Sequence, residues 1–426
     1  MSRSTSTLDP ELPTTLLRAL LGMPFLAYRS LRWRALRGGW LRDHAHWHRP
    51  FDRRALPAGA AIDVMVLVAD HYEPARRDGD DAAVESVRSW CAAYEAIASR
   101  HADSDGRPPQ HTWFYRYDYP HAGCVQALSE STFRGFGEVE FHLHHGHDTH
   151  ETMVARLQKG VEWFNRFGAM LTAEERPRQA FGYVAGNSAL DNGAGQDGLS
   201  GCDTEIRALR DAGCYADFTF ASLGSPAQPR VTNSIYYATE DGRPKSYNTG
   251  VAVQVDRPAS GDLMIFQGPT AFDWRHGRID DGSVENSSPP HPRRLGAWLK
   301  ANVHVAGRPE WVFIKLHTHA MQNRASFLSR SAMPPSRPWR SGGRGRRFVC
   351  TTSRPARPTT SSRPPRLATP ATRTTTAIFC CPRPPTVGCT VPRRGDCGVG
   401  RLITPVSNCW SLAWPGSSSP APVCAP

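Results

Sequence analysis

Residues Glu138–Glu151 read EVEFHLHHGHDTHE. Five histidines (His142, His144, His145, His147 and His150) stand there beside Asp148 and three glutamates. The first half alternates with the period of a strand, Val139, Phe141 and Leu143 on one face and Glu140, His142 and His144 on the other. His145 points away from that second face unless the strand has already turned. The alternation breaks at Gly146, and helical spacing begins near Thr149. A strand that carries imidazoles to its C-terminal end and then passes into a helix can present them as metal ligands. Neutral imidazole binds zinc, copper, nickel or iron, and a nearby carboxylate can join it or orient the ring. A histidine-rich surface turn is the plain alternative; the density of the cluster and its place at a strand end favour the metal.

Outward from this stretch the chain alternates strands and helices. Ile62–Ala69 (IDVMVLVA) is a continuous apolar run, as in a strand buried on both faces, and it leads into Asp70-His71-Tyr72-Glu73-Pro74. Val84, Val87, Cys91, Tyr94 and Ile97 give helical spacing over Ala82–Arg100, and Thr112–Tyr117 is aromatic and β-prone. In that run core packing of Trp113, Phe114, Tyr115 and Tyr117 outweighs sugar stacking. After the histidine strand, Met153, Leu157, Val161 and Phe164 form one helical stripe. Ala180–Ala185 and Tyr215–Phe220 read as strands, Glu205–Ala212 as a helix and Ser234–Ile265 as hairpins and turns. Trp311–Leu316 (WVFIKL) is the last clear strand and runs into His317-Thr318-His319. Polar residues cluster past strand ends three times, which predicts a parallel α/β barrel or doubly wound sheet with its site at the C-terminal edge. There is no glycine-rich phosphate loop and no G-x-S-x-G elbow.

The net charge of +12 belongs to the C-terminal tail. From Ala320 onward there are 16 Arg, no Lys and one acid, Asp396, which leaves residues 1–319 at −3. The body therefore gives no reason to expect a nucleic-acid partner. Seven of the 11 cysteines also lie in the tail, and Cys91, Cys124, Cys202 and Cys214 form no disulfide or zinc pattern. Three regions result: a basic amphipathic segment over 1–54, an α/β domain over 55–320, and an Arg/Pro/Ser/Thr-rich tail over 321–426. Leu16–Leu41 is too interrupted to span a bilayer. It reads as a helix lying on a membrane surface or packed on the domain. His44, His46 and His48 read as surface. No signal peptide is evident, which suggests a cytoplasmic protein, with peripheral membrane contact through the first segment.

At this point the residues resemble a family. Ala69–Pro74 (ADHYEP), His142–His145 (HLHH), Gly186–Asn192 (GNSALDN), Gly213–Thr219 (GCYADFT) and Lys315–His319 (KLHTH) look like a divergent branch of the polysaccharide deacetylase (NodB-homology) superfamily. The resemblance covers roughly 60–320. It implies a distorted (β/α) barrel, a divalent metal, most simply zinc, and hydrolysis of N-acetyl groups on a carbohydrate. Where better-known members have two adjacent aspartates, this chain has Asp70-His71. The expected roles are Asp70 as base, His317 or His319 as acid to the leaving amine, and His71, His142 and His144 as metal ligands. Asn187, Asp191 and Asp217 are expected either to line the substrate cleft or to serve as turn and cap residues. Two rival readings are a metal-dependent phosphoesterase or amidohydrolase, and an inactive sugar-binding relative.

The tail has a reading of its own. Its bias toward Arg, Pro, Ser, Thr and Cys is what GC-rich DNA yields out of frame, although a basic disordered tail has similar bias. Read from the third base of each codon, FVCTTSRPARPTTSSRPPRLA from Phe348 permits RLHYVTAREAYNLVKAAEAG, a strand followed by an amphipathic helix with ordinary acids and lysine. The expectation is a frameshifted, disordered tail beginning near residue 321.

Overall fold

The structure is a computed structural model. It describes residues 40, 43–44, 56, 60–74, 79–170, 180–195, 200–273 and 278–328, together with the backbone of 346–350. From Ile62 onward the described elements are strand β1 (Ile62–Tyr72), helix α1 (Gly79–Ala98), β2 (His111–Arg116), α2 (Ala122–Phe133), β3 (Gly137–Leu143) and α3 (His150–Asn165). Then come β4 (Phe181–Ala185), α4 (Glu205–Asp211), β5 (Cys214–Asp217), β6 (Ser234–Ala238), β7 (Val251–Ala252) and β8 (Leu263–Gln267). The described chain closes with β9 (Ala271–Asp273), β10 (Arg278–Asp280), α5 (Pro292–Ala301), β11 (Val303–Val305), β12 (Arg308–Thr318), α6 (Arg324–Phe327) and β13 (Arg346–Cys350). The fold is mixed α/β.

One sheet runs β11-β12-β1-β2-β3-β4-β5-β8-β6-β7. From β12 through β8 the neighbours are parallel; β11, β6 and β7 are antiparallel additions at the two ends. β9 and β10 form a separate hairpin. Main-chain bonds bring the ends of the large sheet together: Ala306 N–H donates to the Val253 carbonyl at 3.0 Å, and Val255 N–H to that of Ala306 at 3.2 Å. β1 meets β2 along Ala69–Tyr72 and β13 along Ile62–Val66.

Strand alternation sorts the core into two clusters. Ile62, Val64 and Tyr72 of β1 and Val139, Phe141 and Leu143 of β3 pack with the helices, against Val87, Trp90 and Tyr94 of α1 and Met153, Leu157, Val161 and Phe164 of α3. Met65, Leu67 and Ala69 face the other way and meet Phe114, Val184, Phe218, Phe266 and Phe313, a cluster without helical residues. Trp113, Phe114 and Tyr115 are all fully buried. Removing side chains this large from water supplies much of the driving force for closing both layers. α3 starts where helical spacing predicts, because Thr149 and Thr152 form a reciprocal capping box.

β1 differs from expectation. The apolar run ends at Ala69, but the strand continues to Tyr72 because β12 pairs with it as far as Asp70 and β2 as far as Tyr72. Asp70 and His71 therefore obey the alternation and face opposite sides. The helices Ala122–Phe133 and Pro292–Ala301 are additional to the sequence reading. Of the first segment, Trp40 is buried against Ala221 and Leu223, and His44 Nδ1 lies 2.8 Å from Thr232 Oγ1, so this part packs on the domain. Apart from Trp40, the expected membrane-surface stretch lies outside the described residues, as do His46 and His48; of the tail, residues 321–328 and the backbone of 346–350 are described. Among the described residues, no helix is long and apolar enough to cross a membrane.

Candidate metal centre

The site lies where β1, β3 and β12 end, on the face without helices. His71 points there, and Glu73, two residues further along, keeps the same side. On β3 the same parity brings His142 and His144. β2 lies between them and contributes Arg116, whose Nη1 stands 3.7 Å from Glu73 Oε2. Arg116 also pairs with Asp118, which accepts the His144 backbone N–H at 3.2 Å.

Glu73, His142 and His144 each offer one ligand atom, and these atoms lie within 4.8 Å of one another. The group could hold a metal ion. His142 Nε2 stands 3.2 Å and His144 Nε2 2.9 Å from the same oxygen, Glu73 Oε1. His142 Nδ1 lies 2.8 Å from the Val184 carbonyl, an acceptor only, so the ring proton sits on Nδ1. Burial lowers the pKa of His142, which leaves Nε2 as a bare lone pair facing a carboxylate oxygen. Glu73 carries the opposite demand: burial raises its carboxyl, but the two imidazoles outweigh that and hold it far below the usual carboxylate range. A neutral His142 cannot do so by donating from Nε2. The His142 ring is neutral, because it is fully enclosed and its Nδ1 bond to the Val184 carbonyl fixes the proton. A cation between the three atoms satisfies both groups, so the donor set fits a metal. The carbonyl that fixes His142 is the usual outer partner of a metal-ligating imidazole. Gly186 also serves the site, since a Cβ there would lie 2.5 Å from His144 Cγ.

Beside this group sit His71 and His319. The His71 ring centroid is 5.0 Å from that of His142 and 4.8 Å from that of His319. Burial, then the neighbouring imidazoles, push the His71 pKa well down. His319 differs: burial opposes its charge, but Glu285, 3.0 Å from Nδ1, pushes its pKa up.

Several expectations change here. His71 is in the site, but the third converging ligand is Glu73, which the sequence reading passed over. Its signal was available in the period of two from His71. Asp70, the expected base, lies on the helix side, fully buried and 2.9 Å from His111 Nε2, so it does not share a cleft with His317. The expected acids divide: His319 reaches the site, whereas His317 sits one step deeper on β12, with burial lowering its pKa. Asp217 closes β5 and Asp191 sits in a turn after β4, and both are fully buried. Asp217 accepts from the Thr219 hydroxyl at 2.6 Å, and Asp191 from Ser246 N–H at 2.7 Å. Burial raises the Asp217 carboxyl and pushes Asp191 up to about 9. Asn187 is exposed, with φ of 54°, in the turn after β4. His145 turns away from the site to stand between Asp148 Oδ2 at 2.9 Å and Glu205 Oε1 at 3.0 Å. Glu285 carried no local signal, because it comes from an irregular turn.

No protein-family model and no curated protein matches the chain.

Proposed function

We propose that the chain is a metal-dependent hydrolase that removes N-acetyl groups from a sugar or polysaccharide precursor, on a distorted (β/α) barrel whose zinc ion is held by Glu73, His142 and His144. The observation that carries the reading is the convergence of two imidazole nitrogens and one carboxylate oxygen at neighbouring strand ends, beside two further histidines of opposite tendency. Two imidazoles and one carboxylate, with positions left for water and substrate, are a familiar zinc set in hydrolysis. A bound ion would polarise the acetyl carbonyl and lower the pKa of water.

The protein residues supply the proton transfers. His71, kept neutral by its surroundings, takes a proton from the attacking water as that oxygen bonds to the acetyl carbon. His319, whose pKa Glu285 raises from 3.0 Å away, gives a proton to the nitrogen as the C–N bond breaks, so acetate and a free amine leave. Environments that drive two titratable groups apart are the usual means of assigning base and acid at one pH. Glu285 also fixes the ring orientation of His319.

The test is metal analysis combined with acetate release from a panel of N-acetylated sugars and oligosaccharides. The expected result is one ion per chain and acetate release that ends on chelation. A chain that takes up no zinc, or a zinc-loaded chain that releases no acetate from the panel, overturns the reading.

A further inference from the structure

The β1–β12 ladder stops at the pair Asp70 and Thr318. His319 is the next residue, so no ladder bond to β1 holds the chain that carries it. The Asp70 side chain continues what the ladder has ended, since its Oδ1 accepts the Ala320 N–H at 2.9 Å. Its Oδ2 lies 2.9 Å from His111 Nε2. All three residues are fully buried. A carboxylate so enclosed is tolerable only when both oxygens are satisfied. His111 is held in turn by aromatic rings, with centroids 5.0 Å away for Trp90, 5.2 Å for Tyr94, 5.1 Å for Trp113 and 5.0 Å for Phe327.

Phe327 lies on α6, at the far end of the segment that begins at Ala320. One Asp–His pair therefore grips that segment twice, at Ala320 through Asp70 and at Phe327 through the His111 ring. Between the grips, Gln322 Nε2 donates to the Glu73 carbonyl at 3.1 Å. From the other side, Glu285 Oε1 takes both the His319 backbone N–H at 3.2 Å and Nδ1 at 3.0 Å. His319 is thus held between two carboxylates, one through its ring and one through the next peptide.

We propose that Asp70 and His111 are a positioning pair that fixes His319 beside the metal centre. This rests on the hydrolase reading above, and it makes Asp70 a residue that acts through the backbone. A displacement of about 1 Å in a catalytic group costs on the order of a hundredfold in rate. Loosening this grip should therefore appear in kcat and leave KM nearly unchanged.

The experiment compares the zinc-loaded wild type with Asp70→Asn, His111→Phe and His111→Gln. Asn keeps the shape of Asp70 but not its charge; Phe keeps the ring of His111 but not its donor. Gln restores a donor toward Asp70. Each variant is first shown to be folded by near-ultraviolet circular dichroism, and its zinc content is measured. The expected result is one zinc per chain throughout. For Asp70→Asn and His111→Phe, kcat should fall roughly ten- to a hundredfold with KM within about twofold. His111→Gln should recover most of the loss. Unchanged kcat in folded Asp70→Asn, failure of Gln to improve on Phe, or loss of zinc overturns the pair.

A readout without substrate separates this from failure of the hydrolase reading. The His319 ring resonances should be single and sharp in the wild type but broadened by exchange in Asp70→Asn. If no acetate is released yet the broadening occurs, the pair stands and the activity falls. If acetate is released and the resonances are unchanged, the activity stands and the pair falls.

Discussion

His145 gives the clearest link between this structure and a measurement. Its side chain is 4 % exposed and its two nitrogens meet Asp148 and Glu205, which are 5 % and 0 % exposed. Burial works against the charged ring, but the two carboxylates outweigh it and raise the pKa to about 9. The unfolded chain titrates near the ordinary histidine value of about 6.5. A raised folded pKa means that the native state holds its proton more tightly. The stabilisation is fully present below pH about 6.5 and is lost as pH rises through about 9. Raising the pKa from about 6.5 to about 9 corresponds to roughly 3 kcal/mol. Asp191, also raised to about 9, is a buried acid that loses stability in the same direction as pH rises. The wild-type curve alone therefore cannot isolate His145, but the variant His145→Gln can, because a neutral donor removes the titration. Urea unfolding at pH 6, 7.5 and 9.5 supplies the stabilities. The difference between wild type and variant should shrink by about 2–3 kcal/mol from the lowest to the highest pH. A difference that stays constant, or grows with pH, refutes the charged clamp.

Three further outcomes are expected. Glu73→Gln removes the negative ligand and should weaken zinc binding by at least about tenfold, and His142→Ala should abolish it; competition with a chelating dye measures both, and full zinc content in His142→Ala would sink the assignment. Gly186→Ala places a Cβ 2.5 Å from His144 Cγ and 2.7 Å from its backbone Cα, so it should lower zinc affinity by roughly tenfold and also lower the midpoint of unfolding, as read by the same dye and a urea titration. Resequencing the gene should reveal a base gained or lost near codons 317–345; an intact single frame, with a soluble and protease-resistant full-length product, would show the tail to be genuine.

The fold was legible wherever periodicity had no competitor. The histidine strand and the helix after it occupy the residues that their spacing indicates. Asp70, His71 and Tyr72 resemble the start of a loop in sequence, and only the partners β2 and β12 show that the strand continues. The continued strand sets the parity that places His71 and Glu73 together and sends Asp70 to the helices. His319 was legible as a strand-end histidine. Its partner Glu285 was not, because the contact is made between turns 34 residues apart with no local pattern. His111 was equally silent, since a histidine opening an aromatic strand looks like any other edge residue until the helices close around it.

β13 has a consequence for the tail. Parallel pairing uses N–H and C=O groups, which every residue but proline supplies in full. The socket along Ile62–Val66 is therefore nearly blind to side chains. RRFVC lies in the proline-free run 339–354, which is flanked by Pro338 and Pro355 in a stretch dense with proline. A wrong-frame peptide can occupy such a socket almost as well as the segment evolved for it. A chain with a scrambled end can therefore keep that stretch of β1 paired while its intended helix is lost.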